Sequence, residues 1–256
     1  LIGKFLAPNS WFLTLRKNKQ MKEAIILAGG FGTRLKHIVN DVPKPMAPVN
    51  GAPFLSWLFQ RLQQAGVGHV ILSTGYMHEK IEKFYGNRFE NIKLTYSRET
   101  SPLGTGGAIL LGITKAQADD VFVLNGDTLF DVDFDALTQY HSEKQAVLTV
   151  ALRQVEDVSR YGAVGISAEG KIISFKEKKQ AEGKGLINGG IYLLNKKWFE
   201  TLNLPEQFSF EKEILETIYP DNEFYGLGFD SYFIDIGVPE DFYRAQDEFK
   251  DFEIKK

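Results

Sequence analysis

The chain contains no cysteine among its 256 residues. That excludes disulfides, thiolate metal ligands and cysteine nucleophiles, and it suits a reducing cytoplasmic compartment. Histidine is scarce: the four present show no metal-ligand spacing, and no Ser-His-Asp order occurs. An excess of one charge is also missing. Thirty Lys and Arg stand against 33 Asp and Glu, and the resulting net charge of −3 gives no reason to expect nucleic acid or an anionic membrane as a partner. No apolar run reaches the roughly 20 residues that a membrane-spanning helix needs. Internal repeats, low-complexity segments and a dividing linker are absent too. With 43% hydrophobic and 25% charged residues, the composition is that of a globular protein large enough to bury a substantial core.

Residues 1–20, "LIGKFLAPNSWFLTLRKNKQ", differ from the rest. They are apolar and aromatic and end in a basic cluster, the reverse of the charge order of a secretory signal. They read as an upstream-extended start or a remnant, with one functional domain expected over residues 21–250. Within it, "EAIILAGG", "HVILSTG" and "DVFVLNGD" are short apolar runs of the kind buried parallel strands display. "PFLSWLFQRLQQAGV" instead places Phe54, Leu55, Leu58, Phe59 and Leu62 on one helical stripe. "HEKIEKFYG" and "GTGGAILLGITKA" also read as helices, and "IKLTYSRE" as a strand. This alternation predicts an α/β fold: a Rossmann-like, mostly parallel mixed sheet flanked by helices. The second half supplies the strand candidates "AVLTVALRQV", "YGAVGIS", "KIISFKEK" and "GGIYLLN", read as a smaller β-rich region facing the substrate. "SFEKEILETIY" predicts a helix capped by Ser209, and "EDFYRAQDEF" a terminal one.

In open parallel sheets, ligands bind beyond the carboxyl ends of the strands. The segments "ILAGGFGTRL" and "LNGD" fall at that edge. The first is no P-loop, because Gly32 is followed by Thr33 and Arg34 instead of Lys and Ser or Thr. It is no dinucleotide fingerprint either, since Leu35 stands where the third glycine belongs. The underlying physics still applies: glycines allow backbone amides to approach phosphate oxygens, and Arg34 presents a planar fork to them. In "DVPKPMAP" three prolines stiffen the chain around Lys44, whose ammonium then has less freedom to lose when it neutralises developing charge.

"LAGGFGTRL…PKP" resembles the signature of sugar-nucleotide pyrophosphorylases, nucleotidyltransferases that join a sugar 1-phosphate to a nucleoside triphosphate. "SPLGTGGA", "LNGD", "YGAV", "FKEK", "NGGIYLL" and "FIDIGVPEDFYRA" continue the likeness in order across residues 21–246. The resemblance implies the nucleotide-diphospho-sugar transferase fold, with Leu27, Ala28, Gly29, Gly30, Gly32 and Thr33 around the triphosphate. It implies Arg34, Lys44 and Asp127 as catalytic residues and Asp127 with Asp235 as ligands of Mg²⁺, a hard ion suited to oxygen donors. Glu99, Gly104 and Thr105 correspond to the base-recognition loop. Guanine offers N1–H and its 2-amino group side by side, and one carboxylate accepts both, so Glu99 leans towards GTP.

Gly162, Glu177, Lys178, Asn188 and Gly189 match the sugar-phosphate site, although Lys179 replaces the family's usual proline. Without the resemblance, "KEKK" reads as a solvated charge run. Within the family, "RYGAV", "GLINGGIYLL" and "QFSFEKEIL" are most similar to the short guanylyltransferases of D-glycero-α-D-manno-heptose 1-phosphate, which supply GDP-heptose for cell-surface polysaccharide. Mannose 1-phosphate guanylyltransferases and short uridylyl- or thymidylyltransferases remain open. So does a non-catalytic regulatory subunit that binds nucleotide sugars. Many mannose enzymes carry a C-terminal β-helix, and the ending "FKDFEIKK" favours the short type. A homo-oligomer is also left open.

Overall fold

The computed structural model describes residues 21–251 apart from 31–34, 36, 40 and 177–181. Its centre is an eight-stranded sheet. In spatial order the strands are Phe224–Phe229, Leu148–Val155, Gly185–Asn195, Asp120–Asn125, Lys22–Leu27, Val67–Thr74, Ile92–Arg98 and Arg88–Phe89. Gly185–Asn195 and the short edge strand Arg88–Phe89 run antiparallel to their neighbours, and the other pairings are parallel. The sheet is therefore mixed and mostly parallel, as the strand–helix alternation predicts.

Both faces are covered, so the central strands read as continuous apolar runs. In Lys22–Leu27, Ala24 and Ile26 join one core layer while Ile25 joins the other, the period-2 alternation of a pleated strand. The first layer is filled by helix Phe54–Gln64, whose five stripe residues are all buried. Helix Gly104–Ile113 covers the opposite face through Ile109 and Ile113. Burying a side chain such as Phe59 or Leu62 contributes about 1.5–3 kcal/mol before chain entropy is subtracted. A further helix, Phe134–Glu143, was not anticipated from sequence; Asp133 caps it by accepting from the Ala136 amide at 2.9 Å.

The second-half strands divide between two places. Leu148–Val155 and Gly185–Asn195 extend the main sheet, because the latter pairs antiparallel with Asp120–Asn125. The pair Ala163–Ile166 and Ile172–Lys176 forms a separate small antiparallel ribbon. Ser209 caps as expected, accepting from the Lys212 amide at 3.3 Å, but the segment it starts is a short π-helix, Phe210–Leu215. A final two-stranded pair positions the site: Phe233–Asp235 lies antiparallel to Thr128–Phe130, with Asp235 opposite Thr128.

Candidate active site

Two cavities open at the carboxyl edge of the sheet. The larger, about 660 Å³, is lined by Leu27, Gly29, Gly30, Lys44, Glu99, Gly104, Thr105 and Asp127 among others. The smaller, about 320 Å³, is lined by Gly162, Tyr161, Lys176 and Asn188. Glu211 lines both.

Lys44 begins a 3-10 turn, Lys44–Met46, held between Pro43 and Pro45. Its ammonium forms an ion pair with Asp127 Oδ2. Asp127 follows strand Asp120–Asn125, and its carbonyl accepts from the Ile236 amide at 3.0 Å. That bond, together with the pairing of Asp235 opposite Thr128, brings a residue 108 positions later to the same place. Asp235 Oδ1 accepts from the Gly237 amide at 2.7 Å, which fixes the carboxylate. A Cβ placed on Gly237 would lie 2.7 Å from Asp235 Oδ1 and 3.0 Å from Lys44 Nζ, so both groups crowd one point that only glycine leaves open. Lys44, Asp127 and Asp235 thus form one cluster, each from a different part of the chain. Two carboxylates are an oxygen donor set of the kind that fits a hard divalent cation bound together with phosphate oxygens. Among the described residues there is no group of three or more metal-binding side chains.

Glu99 follows strand Ile92–Arg98, and its amide donates to Thr74 O at 2.8 Å. Its Oε2 accepts from the Leu103 amide at 3.1 Å. Burial raises its pKa above the ordinary carboxylate value, and that single amide only partly opposes the shift. Gly29 belongs to this corner: a Cβ there would lie 2.5 Å from Glu99 Oε1 and 3.2 Å from the Gly75 amide.

Several expectations need correction. Ala28 does not offer its amide to a phosphate, because that N–H donates to Ser73 O at 2.8 Å and the residue is buried. Gly189 does not line the smaller cavity; a Cβ there would meet the Phe130 ring and the Ala151 carbonyl, so it is a packing glycine under strand Gly185–Asn195. Asn188 does line that cavity, with its amide oriented by Tyr192 OH at 2.7 Å and by the Gly190 amide at 2.9 Å. Gly32, Thr33, Arg34, Glu177 and Lys178 lie outside the described residues. Lining residues that sequence reasoning missed include Tyr76, Asn125, Tyr161, Lys176, Glu211 and Gly237. Gly237 carried a signal, standing in "DIGVP" beside a proposed metal ligand. Glu211 stood within "QFSFEKEIL", a stretch of the family likeness, but its helical pattern did not single it out as a lining residue.

The fold and the cluster define a nucleotidyl transferase: the model of that family, nucleotidyl transferase, matches residues 23–251, and the chain belongs to it. The chain is 47% identical over 230 residues to D-glycero-alpha-D-manno-heptose 1-phosphate guanylyltransferase of Aneurinibacillus thermoaerophilus, covering 90% of this chain and 99% of that one. It is 48% identical over 222 residues to the enzyme of the same name from Campylobacter jejuni, covering 87% and 97%. Among solved structures it is similar to HddC from Yersinia pseudotuberculosis complexed with GMP-PN, with a TM-score of 0.79 and 38% identity over 90% of this chain and all of that one.

Proposed function

We propose that this chain condenses D-glycero-α-D-manno-heptose 1-phosphate with GTP, giving the GDP-sugar and pyrophosphate. The convergence of Lys44, Asp127 and Asp235 on one cavity edge, with Glu99 lining the same cavity, carries this reading. The heptose 1-phosphate guanylyltransferases to which the chain is nearly half identical support the choice of sugar. A neighbour that holds GMP-PN supports the choice of base.

The chemistry needs no protein nucleophile. A phosphate oxygen of the sugar 1-phosphate attacks the α-phosphorus of GTP; that P–O bond forms as the bond to the β-phosphate oxygen breaks, and pyrophosphate departs. Lys44 would neutralise charge growing on the α-phosphate, and the family resemblance assigns Arg34, outside the described residues, to the departing pyrophosphate. Asp127 and Asp235 would hold Mg²⁺, which when bound supplies charge neutralisation and orients the phosphate oxygens. Lys44 is already ion-paired with Asp127, so that carboxylate has a protein counter-charge before any ion binds. Gly162 and Asn188 line the smaller cavity, which we assign to the sugar; Glu177 and Lys178, outside the described residues, are assigned to it by the family resemblance alone.

The test is a panel of GTP, ATP, UTP, CTP and dTTP against heptose, mannose and glucose 1-phosphates, scored by pyrophosphate release. Turnover greatest for GTP with the heptose phosphate supports the reading. Preference for mannose 1-phosphate, or for UTP or dTTP, replaces it with the corresponding transferase, and binding of nucleotide sugar without pyrophosphate release indicates a regulatory subunit.

A further inference from the structure

The glycine-rich start of helix Gly104–Ile113 serves a second purpose besides facing a nucleotide. A Cβ on Gly104 would collide with the Phe208 carbonyl, one on Gly106 with the Phe208 ring, and one on Gly107 with the Glu206 carbonyl. The Phe208 amide donates to Leu103 O at 3.0 Å, and the Gly106 amide returns a bond to Phe208 O at 3.0 Å. Three missing side chains therefore let residues 206–208, about a hundred positions later, lie directly on the helix start. The residues that follow are fastened to the same place. Thr105 Oγ1 donates to Glu211 Oε2 at 2.6 Å, Ser209 Oγ donates to the same oxygen at 3.0 Å, and the Phe210 amide donates to Thr105 Oγ1 at 2.9 Å.

This docking puts Glu211 in the wall between the two cavities. An ionised carboxylate accepts about four hydrogen bonds. Oε2 has two, and among the described residues Oε1 has none. Sugar hydroxyls are donors that need acceptors; Glu216 and Tyr161 also line the smaller cavity, and Asn188 already gives its oxygen to the Gly190 amide. We propose that Glu211 binds ring hydroxyls of the sugar 1-phosphate, and that its seat on Thr105 fixes the sugar relative to the nucleotide. This rests on the transferase reading above, and it adds a residue that reads the sugar from the nucleotide side.

Glu211→Gln and Glu211→Asp are measured beside the wild type with GTP and D-glycero-α-D-manno-heptose 1-phosphate, its monodeoxy analogues, and 2′-deoxy-GTP. Glutamine keeps the shape and weakens the acceptor; aspartate keeps the charge and withdraws the acceptor by one methylene, and retained GTP binding shows that each variant is folded. The expected result is a KM for the sugar phosphate raised about tenfold or more in both variants, as loss of a hydrogen bond to a substrate hydroxyl predicts. GTP affinity by calorimetry should stay within about twofold. One monodeoxy sugar should bind both variants and wild type with nearly equal KM. An unchanged sugar KM in the two variants overturns the proposal while leaving the transferase reading intact. A penalty that appears in GTP affinity and vanishes with 2′-deoxy-GTP also overturns it, placing Glu211 on the ribose instead. A wild type that releases no pyrophosphate overturns both readings together.

Discussion

Glu23 and Glu99 stand at opposite edges of one sheet, and their carboxyl groups shift in opposite directions. Glu23 is buried at the start of strand Lys22–Leu27. Burial pushes its pKa up, but the His69 hydrogen bond at 2.6 Å and the amides of Ala118 and Gln117 at 2.6 and 2.5 Å together hold it below the ordinary value. His69 Nε2 in turn meets Thr95 Oγ1 at 2.8 Å, so the network is closed. Among the described residues Glu99 has one amide partner, and burial wins. A carboxylate whose acceptor sites are filled by its own protein is structural; one kept short of partners in a cavity wall is ready for a ligand's donors.

The largest effect that tests this contrast is at the closed edge. Glu23→Ala strands two amides and an imidazole, and should lower stability by about 3–5 kcal/mol in urea unfolding. A loss below 1 kcal/mol would mean the network is not structural. At the working edge, Lys44→Ala should leave the urea midpoint close to wild type while slowing pyrophosphate release about a hundredfold, on the order of 3 kcal/mol in the barrier. Equal turnover would remove Lys44 from the mechanism. Replacing Asp235 by Asn should weaken Mg²⁺ binding measured by calorimetry in the presence of a non-hydrolysable GTP analogue by at least about tenfold; unchanged affinity would take Asp235 out of the metal site.

Glu99→Gln should reduce the preference for GTP over UTP by about ten- to thirtyfold, or roughly 1–2 kcal/mol. Since burial raises its pKa, the ionised group opposes folding at neutral pH, and this variant should be no less stable than wild type. The smallest effect concerns pH. The Glu23 contribution is complete above the unfolded carboxylate pKa of about 4.3 and is lost as pH falls through its lower folded value. Glu23→Gln should therefore flatten the acid side of the stability profile. Glu99 acts with the opposite sign: its penalty is relieved as pH falls through its raised value, and GTP preference should fade as pH falls through that same value. Identical pH profiles for Glu23→Gln, Glu99→Gln and wild type would erase the distinction.

Part of the larger cavity was legible in the sequence. "AGG", "PKP" and "LNGD" are short stretches near strand ends, and the family resemblance groups Gly29, Lys44 and Asp127, which line one cavity. The sugar side was harder to read. Gly189, expected at the sugar site, packs its Cα side against the Phe130 ring and the Ala151 carbonyl, because what a glycine faces depends on what crosses it. The Ala28 amide is taken in a similar way, by the Ser73 carbonyl, a pairing that sequence alone does not specify.

The sequence by itself determined the sheet's apolar strands, the amphipathic helix over Phe54–Gln64 and the stiff turn around Lys44, since each follows from periodicity or proline within about a dozen residues. Only the tertiary structure decided that Asp235 meets Lys44, that Glu211 reaches Thr105 across 106 positions, and which glutamate is satisfied and which is left waiting. Those outcomes depend on contacts between segments far apart in the chain. A residue's type states what it is able to bind, while its neighbours in space decide whether that capacity is already used.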